Sequence, residues 1–270
     1  MSSVSIVTPV YKAAKFLPEF LFGISKITSV DIEHIVVDGK SDDGSVDILQ
    51  QYSKLYNLKW ISEKDTGQYN AINKGFSMAT SDFVGYQNVD DFYFENGLAT
   101  LIASLKGNPA FDGGYGRYVI VDEHKSFLAT PYNQGSFFLN KLVRGNFVFP
   151  GTFFIRRSAL DNIAFDEKLN FYGDWDWLLQ IALAGKKITH LPVEVAAFRR
   201  CPGSKSLTWS QRRLSSERKY IGQKHNLNFN AMQFTEFRNR VAQRLTTEWK
   251  KLNGDYASEK QSYDLLLRAQ

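Results

Sequence analysis

The first hundred residues alternate short runs of β-branched residues with stretches of helical periodicity, and this alternation restricts the fold more than any other feature. Four segments are typical of strands: SVSIVTP, HIVVD, LKWIS and SDFVGYQN. The helical patterns between them are residues 16–27, DGSVDILQQYSKLY and QYNAINKGFSMAT. Strands that alternate with helices in this way predict an α/β fold with a mostly parallel, Rossmann-like central sheet flanked by helices.

Beyond residue 110 the alternation is less regular. FDGGYGRYVIVDE and NFVFPGTFFIRR indicate further strands, and DWDWLLQIALAG predicts a helix that ends at Gly185. After residues 202–203 the composition becomes helical and basic. The sequence therefore predicts a domain over residues 1–206 and a helical C-terminal extension over residues 207–270.

Composition excludes several classes of protein. With 270 residues, 43% of them hydrophobic and 23% charged, the chain has the composition of a folded globular protein. Its single cysteine, Cys201, cannot form an internal disulfide, and no Cys/His cluster has the spacing of a zinc site. No segment approaches the roughly 20 apolar residues that a spanning helix needs. We expect a cytoplasmic protein.

Positive charge is concentrated near the C-terminus. Residues 205–251 carry 11 Lys and Arg against 3 Asp and Glu. The same region has apolar residues every three or four positions, at Phe234, Phe237, Val241, Leu245, Trp249 and Leu252. This pattern fits a helix that packs on the catalytic domain, or a helix that docks peripherally on the anionic inner face of the cell membrane. No nucleic-acid-binding motif is present, so a nucleic-acid partner is not expected.

Polar residues follow three of the predicted parallel strands. They are residues 8–11, Asp38 with Gly39, and residues 88–91. In open α/β sheets, ligands bind outside the carboxyl ends of the strands. These residues are therefore candidates for one ligand crevice.

Two carboxylate pairs suggest chemistry. Asp90 and Asp91 are adjacent and would repel each other, and a divalent cation such as Mg²⁺ would relieve that repulsion. Asp174 and Asp176 lie at the start of a predicted helix, where a carboxylate could act as a general base. The alternative in both cases is helix or turn capping, for which aspartate is common.

Five segments in this order resemble glycosyltransferase family 2, inverting enzymes of GT-A fold that use nucleotide-diphosphate sugars. They are SIVTPVYK, VVDGKSDDGS, SEKDTGQYNAINKGFSMATSDFVGYQNVDDFY, FDEKLNFYGDWDWLLQIALAGKKI and FRRCPGSKS. The resemblance covers about residues 3–206. It implies a nucleotide-binding half over about residues 1–110 and an acceptor-binding half over about residues 111–206.

The resemblance implies roles for residues on the donor side. Thr8, Pro9 and Tyr11 fall in the loop that lines the base pocket, and Asp38 matches the acid that binds the nucleobase. The remaining donor-side positions that it implies are Asp65, Asn73, Lys74, Asn88 and Asp90.

The resemblance also implies the metal site. Asn88-Val89-Asp90 occupies the DXD motif, with asparagine in place of the first aspartate. Asp90 and Asp91 are the implied contacts of Mg²⁺ or Mn²⁺ and of the diphosphate. Arg199 and Arg200 are candidates for diphosphate contact or for ordering a loop.

On the acceptor side, YGDWDW matches the family's Glu-Asp pair. Gly173 stands where glutamate is frequent, and Asp174 stands at the catalytic aspartate. Asp174 is the implied general base, with Asp176 in reserve.

Together these residues predict an inverting glycosyltransferase. It would transfer a sugar from a nucleotide-diphosphate sugar, a UDP-sugar being favoured, to a hydroxyl of a glycan or lipid-linked acceptor in bacterial surface polysaccharide or glycoconjugate synthesis. One alternative is a nucleotidyltransferase, although its loop after the first strand should contain glycine, and TPVYKAAKF has none. Another is a non-catalytic sugar-nucleotide or glycan-binding module, against which Asp90, Asp91 and Asp174 argue.

Overall fold

The computed structural model describes residues 4–131, 135–202, 210–227, 229, 246, 248–252 and 254–268. The predicted alternation of strands and helices is found over the first hundred residues. In chain order the elements are β1 (Val4–Val10), α1 (Leu17–Lys26), β2 (Ile32–Asp38), α2 (Ser45–Tyr52), β3 (Leu58–Ser62), α3 (Gln68–Met78), β4 (Phe83–Tyr86), β5 (Phe92–Tyr93), α4 (Glu95–Gly107), β6 (Gly113–Asp122), β7 (Phe127–Ala129), α5 (Leu139–Leu142), β8 (Phe153–Arg156), α6 (Gly173–Leu183), β9 (Ile188–Arg200), α7 (Gln211–His225) and α8 (Asp255–Arg268).

The strands form one sheet in the order β3-β2-β1-β4-β8-β6-β9-β5, with β7 paired to β6. The strands β3, β2, β1 and β4 are parallel, as the sequence predicts. The other half is mixed, because β8 runs antiparallel to both β4 and β6, whereas β9 is parallel to β6. A parallel pair needs a crossover connection, and α6 lies within the connection between β6 and β9.

Both faces of the parallel half are buried. Ile6 and Val36 belong to a core cluster with helices α1 and α4, whereas Val7 and Ile35 belong to a second cluster with α3 and α6. Successive residues of a strand point to opposite faces, so runs of apolar residues are needed where helices cover both sides. This burial fixes the strand register and thereby which residues reach the edge of the sheet.

Helix α3 lies unusually close to the sheet. A Cβ atom at Gly75 would lie 2.3 Å from a methyl carbon of Val7 on β1. The helix can approach β1 this closely because Gly75 has no side chain. Helix α6 ends at Leu183, two residues before the predicted end at Gly185, whose φ of 70° lies in the left-handed region typical of the residue that follows a helix.

The described C-terminal helices pack on the rest of the chain. Ile221 of α7 lies in the same core cluster as Trp175 and Trp177 of α6. Tyr263 of α8 packs on Phe94 and Phe127. Of the predicted apolar stripe, Phe234, Phe237, Val241 and Leu245 lie outside the described residues, and Trp249 and Leu252 are exposed. Within the described ranges, no helix combines the length and apolarity needed to cross a membrane.

Candidate active site

The carboxylate of Asp38 lies at the carboxyl end of β2, where the backbone is paired with Val10 of β1. Its Oδ2 atom accepts hydrogen bonds from the Ser41 backbone N–H at 3.0 Å and from the Ser62 hydroxyl at 2.6 Å. Its Oδ1 atom is buried and has no hydrogen-bond partner among the described residues. The side chain is thus held in place by one oxygen, which leaves the other to accept a hydrogen bond from a ligand.

Asp65 and Tyr11 meet above Gly39. A Cβ atom at Gly39 would lie 2.8 Å from Asp65 Oδ2 and 3.2 Å from Tyr11 Cδ2. Asp65 Oδ1 accepts the N–H of Gly67, and this bond holds the loop that precedes α3. The structure therefore brings Tyr11, Asp38 and Asp65 to one edge of the sheet. The ring of Tyr11 is 64% exposed and offers a surface for stacking.

Three of the predicted donor-side residues have other partners. The hydroxyl of Thr8 lies 3.0 Å from His34 Nε2 inside the sheet, and Thr8 is fully buried. The amide of Asn73 donates to the Phe165 carbonyl oxygen and accepts the Phe165 N–H, so it joins α3 to the loop before α6. Lys74 forms an ion pair with Glu63 at 2.6 Å. Pro9, by contrast, is half-buried, at the next-to-last residue of β1.

The loop after β4 carries the acidic pair. Asp91 is buried, and its Oδ1 atom accepts the backbone N–H of Arg199 at 2.8 Å. Its Oδ2 atom is buried without a hydrogen-bond partner among the described residues. Asn88 Oδ1 accepts a hydrogen bond from Gln68 Nε2 at 2.9 Å, which ties this loop to the start of α3.

The electrostatics of Asp90 and Asp91 suit a hard cation. Burial raises the pKa of Asp90 above its usual value. Burial, and then the neighbouring charge of Asp90, raise the pKa of Asp91 well above its usual value. The half-buried carboxyl group of Asp90 and the buried one of Asp91, with its unpartnered Oδ2, are a donor set that fits Mg²⁺ or Mn²⁺, both of which prefer oxygen ligands. The described residues hold no cluster of three or more His, Cys, Asp or Glu that would complete a metal cage.

Arg199 is held by another carboxylate. Its guanidinium donates to both oxygens of Glu19, at 2.8 and 3.2 Å, and this bidentate pair holds the pKa of Glu19 low, at about 2. Of the two roles considered for Arg199, the geometry matches the ordering of a loop, because its backbone also fixes Asp91. Arg200 is exposed.

The structure distinguishes Asp174 from Asp176. Asp176 is fully buried and accepts hydrogen bonds from Lys224 at 2.8 Å, His225 at 2.7 Å and Gln180 at 2.9 Å. Residues two apart on a helix lie about 200° apart around its axis, so the two carboxylates face different surroundings. The contacts of Asp176 are those of a structural ion pair, and they leave Asp174 as the candidate base.

Asp174 is half-buried near the start of α6. Its Oδ1 atom accepts the N–H of Trp175, and its Oδ2 atom accepts a hydrogen bond from Asn146 at 3.0 Å. Burial raises the pKa of Asp174 to about 6. A base with a pKa near the working pH is suited to proton transfer.

Helix α3 joins the two halves of the site. Its first residue, Gln68, bonds Asn88, and its second, Tyr69, accepts the Gly173 N–H and donates to the Phe171 carbonyl oxygen. The charges of Asp174 and Asp91 both act on Tyr86: burial, and then the charges of Asp174, Tyr69 and Asp91, raise the pKa of Tyr86 well above its usual value. Helix α3 thus contacts both the loop that carries the acidic pair and the start of the helix that carries the candidate base.

Sequence reasoning did not identify Asn146, Gln68 or Tyr69. The last two lie in the segment TGQYNAINKG, whose glycine and polar residues at a helix start were a usable signal. Asn146 lies in an irregular segment and had no such signal.

The sequence of this chain is similar to those of known proteins. The model of the family "Glycosyl transferase family 2" matches residues 5–164. The "PGL/p-HBAD biosynthesis glycosyltransferase" of Mycobacterium tuberculosis is 26% identical over 199 residues, which are 72% of this chain and 75% of that protein. The "Minor teichoic acid biosynthesis protein GgaA" of Bacillus subtilis is 27% identical over 197 residues, 68% of this chain and 44% of that protein.

Solved structures have the same fold. S. aureus TarS, residues 1–349 with UDP-GlcNAc, matches with a TM-score of 0.67 and 18% identity over 81% of this chain. The chain covers 64% of that TarS chain, somewhat under two thirds. The mannosyltransferase PcManGT from Pyrobaculum calidifontis, with GDP-Man and Mn²⁺, matches with a TM-score of 0.59 and 16% identity over 99% of this chain and 86% of that one. The predicted GT-A fold is confirmed, and the chain is a glycosyltransferase that belongs to glycosyl transferase family 2.

Proposed function

We propose that this glycosyltransferase transfers a sugar from a nucleotide-diphosphate sugar to an acceptor hydroxyl with inversion at the anomeric carbon. The observation that carries the proposal is that the first two residues of α3 bind Asn88, in the loop of the acidic pair, and the N–H of Gly173, beside Asp174. One carboxylate pair suits a metal-bound diphosphate. A separate carboxylate, with a raised pKa, suits the acceptor.

Asp174 acts as the general base. It removes the proton of the acceptor hydroxyl as that oxygen attacks the anomeric carbon, and the bond from that carbon to the diphosphate oxygen breaks. One displacement of this kind inverts the configuration. The Asn146 amide orients the carboxylate of Asp174, and the unpaired Asp38 Oδ1 accepts a hydrogen bond from the nucleobase.

Asp90 and Asp91 would hold Mg²⁺ or Mn²⁺ together with oxygens of the donor diphosphate. When bound, the cation supplies positive charge that stabilises the leaving nucleotide diphosphate. The backbone of Arg199 keeps Asp91 in position for this role. The neighbour PcManGT, solved with GDP-Man and Mn²⁺, supports a divalent metal.

The relatives support a donor and an acceptor class. TarS has been solved with UDP-GlcNAc and with UDP, which supports a UDP-sugar as the favoured donor. The relatives named for PGL/p-HBAD biosynthesis and for minor teichoic acid biosynthesis support a glycan or lipid-linked acceptor in the synthesis of a bacterial surface polymer or glycoconjugate.

The enzyme works in the cytoplasm, at the inner face of the membrane. The excess of Lys and Arg over residues 205–251 is the support for this location, together with the exposed side chains of Trp249 and Leu252. Co-sedimentation with vesicles tests it. Binding should require anionic lipid and weaken with salt, and equal binding to neutral vesicles would contradict the proposal.

Calorimetry tests the donor site. Binding of UDP, GDP, TDP and CDP is measured with and without Mn²⁺, on wild type, on Asp90→Ala/Asp91→Ala and on Asp161→Ala, an exposed aspartate that serves as control. We expect metal-dependent binding of UDP that only the double variant loses. The anomeric configuration of the transfer product, read by proton NMR, then tests inversion. A folded protein that binds no nucleotide in any metal condition would contradict the proposal.

A further inference from the structure

Helix α7 contacts α6, the helix that carries the candidate base, through hydrogen bonds of Lys224 and His225 to Asp176. It lies beyond residue 164, where the match to the family model ends. About half of the residues of α7 are exposed, and its buried residues are Ile221, Glu217 and Arg218. Burial of two charged side chains indicates specific partners, because an unpaired buried charge is costly. The partners of these two lie in the loop that leads into α6.

The carboxylate of Glu217 accepts three consecutive backbone N–H groups. Oε1 accepts the N–H of Asn170 at 2.8 Å, and Oε2 accepts those of Phe171 at 3.0 Å and Tyr172 at 2.9 Å. Tyr172 is the N-cap residue of α6, and Asp174 is the second residue of that helix. Glu217 therefore holds the backbone immediately before the candidate base.

A second contact supports the same loop. The guanidinium of Arg218 donates to the hydroxyl of Tyr172 at 2.6 and 3.1 Å. The next N–H along, that of Gly173, is accepted by Tyr69. The N–H groups of residues 170–173 are thus all bound by side chains from α7 and α3, and the N-cap residue Tyr172 makes no side-chain capping hydrogen bond.

Glu217 also brings a negative charge to the amino-terminal end of α6. Such a charge stabilises a helix, since the exposed N–H groups there carry partial positive charge. The same charge opposes ionisation of Asp174: after burial, it is among the causes that raise the pKa of Asp174.

We propose that Glu217 is a positioning residue for the candidate base: by binding the backbone N–H groups of residues 170–172, it fixes the point from which Asp174 reaches the acceptor. Helix α7 is accordingly part of the active site. This inference rests on the proposed function, in which Asp174 is the base.

The other groups around Asp174 bear on any pH test. The charge of Asp174 acts on Tyr69 of α3 and on Tyr86 of β4, and both tyrosines have a pKa raised mainly by burial. On its own helix, Asp176 is paired with Lys224 and His225. From α5, Lys141 lies over the ring of Phe147. Glu217 is thus the carboxylate whose removal should change the charge felt by Asp174 most directly.

The test compares Glu217→Gln with wild type and with Asp166→Asn in the full chain. Asp166 is a matched control because it anchors the same helix, through Lys224 at 2.8 Å and Tyr220 at 2.9 Å. Both variants should lower thermal stability. Only Glu217→Gln should lower kcat, by about tenfold to a hundredfold, because small misplacements of a reacting group are costly. Its KM for the donor should be unchanged, and the acidic limb of its pH profile should move to lower pH.

A conservative variant and a spectroscopic readout complete the test. Glu217→Asp keeps the charge on a shorter side chain, so its acidic limb should stay in place while kcat falls less. If Glu217→Gln does not fold, an unchanged kcat in Glu217→Asp overturns the inference, and a reduced kcat with unchanged donor KM supports it.

Titration of the Asp174 carboxyl carbon by NMR, assigned with Asp174→Asn, is independent of turnover. Its midpoint should fall in Glu217→Gln and not in Asp166→Asn. An unmoved midpoint together with wild-type kcat would overturn the inference. Absence of transfer by the wild type would contradict the proposed function instead, and the titration would still decide the effect of Glu217 on Asp174.

Discussion

Asn146 donates a hydrogen bond from its side-chain amide to Oδ2 of Asp174 across 3.0 Å. This bond favours the ionised carboxylate, whereas burial favours the neutral acid and is the larger effect, so the pKa of Asp174 rises to about 6. Asp174 consequently changes charge close to neutral pH. Both activity and stability should depend on that change.

Transfer should fall as the pH is lowered through about 6, because a protonated Asp174 cannot accept the acceptor's proton. In Asp174→Asn, the transfer rate should drop by about 10² to 10⁴-fold while donor affinity is kept, since general-base assistance has this magnitude. The measurement is kcat/KM on both sides of this pH, with nucleotide binding as the control. A flat profile in the wild type would count against Asp174 as the base.

Stability should respond to the same group with a definite sign. The pKa of Asp174 is raised from 3.8 to about 6, so folding favours the protonated form, and the stabilisation is present below pH 3.8 and is lost as the pH rises through 6. Asp174→Asn stays neutral. Its free energy of unfolding relative to wild type should therefore increase with pH across this range, by at most about 3 kcal/mol, because Asp174 is half-buried and solvent screens part of the effect. Urea unfolding at several pH values measures it, and a difference that is independent of pH would contradict the assignment.

Gly39→Ala should weaken nucleotide binding by about tenfold, which is about 1.4 kcal/mol. The added Cβ would lie 2.8 Å from Asp65 Oδ2 and 3.2 Å from the Tyr11 ring, so both side chains must move. Gly23→Ala is the matched control, because a Cβ there meets nothing within 4 Å. The control should bind nucleotide normally and gain about 0.5 to 1 kcal/mol of stability in helix α1. Equal nucleotide affinity in the two variants would argue against a donor site at Gly39.

Gly173→Ala should destabilise the protein by about 1 to 3 kcal/mol and reduce transfer. A Cβ there would lie 2.3 Å from a ring carbon of Tyr69, whose ring is stacked on Phe165 and cannot easily move. Gly107→Ala has open space around its Cβ and serves as the control. Chemical denaturation and a transfer assay measure the two effects. A Gly173→Ala enzyme as stable and active as the control would show that the Tyr69 packing is unimportant.

Tyr263→Ala should lower the free energy of unfolding by about 3 kcal/mol, because Tyr263 is buried between Phe94 and Phe127 and donates to the Lys125 carbonyl oxygen at 2.6 Å. Leu265→Ala, on the same helix but 61% exposed, should change it by less than about 0.5 kcal/mol. Similar values for the two variants would mean that α8 contributes little to the stability of the domain.

The sequence predicted the parallel half of the sheet and the edge at which Asp38, Asp90 and Asp91 lie. Local patterns were sufficient there, because strands buried on both faces need apolar runs and the crossover helices need their own periodicity. In such a sheet, polar residues that follow the strands must meet at one edge. The mixed half was less predictable, since β8 and β9 pair with strands that are distant in sequence.

The choice between Asp174 and Asp176 needed the tertiary structure. The two aspartates lie two residues apart on one predicted helix, so the sequence does not distinguish them. Lys224 and His225, which are 48 and 49 residues further along the chain, pair with Asp176 and not with Asp174. Three further hydrogen bonds join residues that are distant in the sequence: Thr8 with His34, Asn73 with Phe165, and Asn146 with Asp174. The sequence by itself determined which chemical groups are present and which strands carry them. Only the fold decided which groups are paired in the interior and which remain available to a ligand, because burial and hydrogen bonding depend on contacts between residues far apart in the chain.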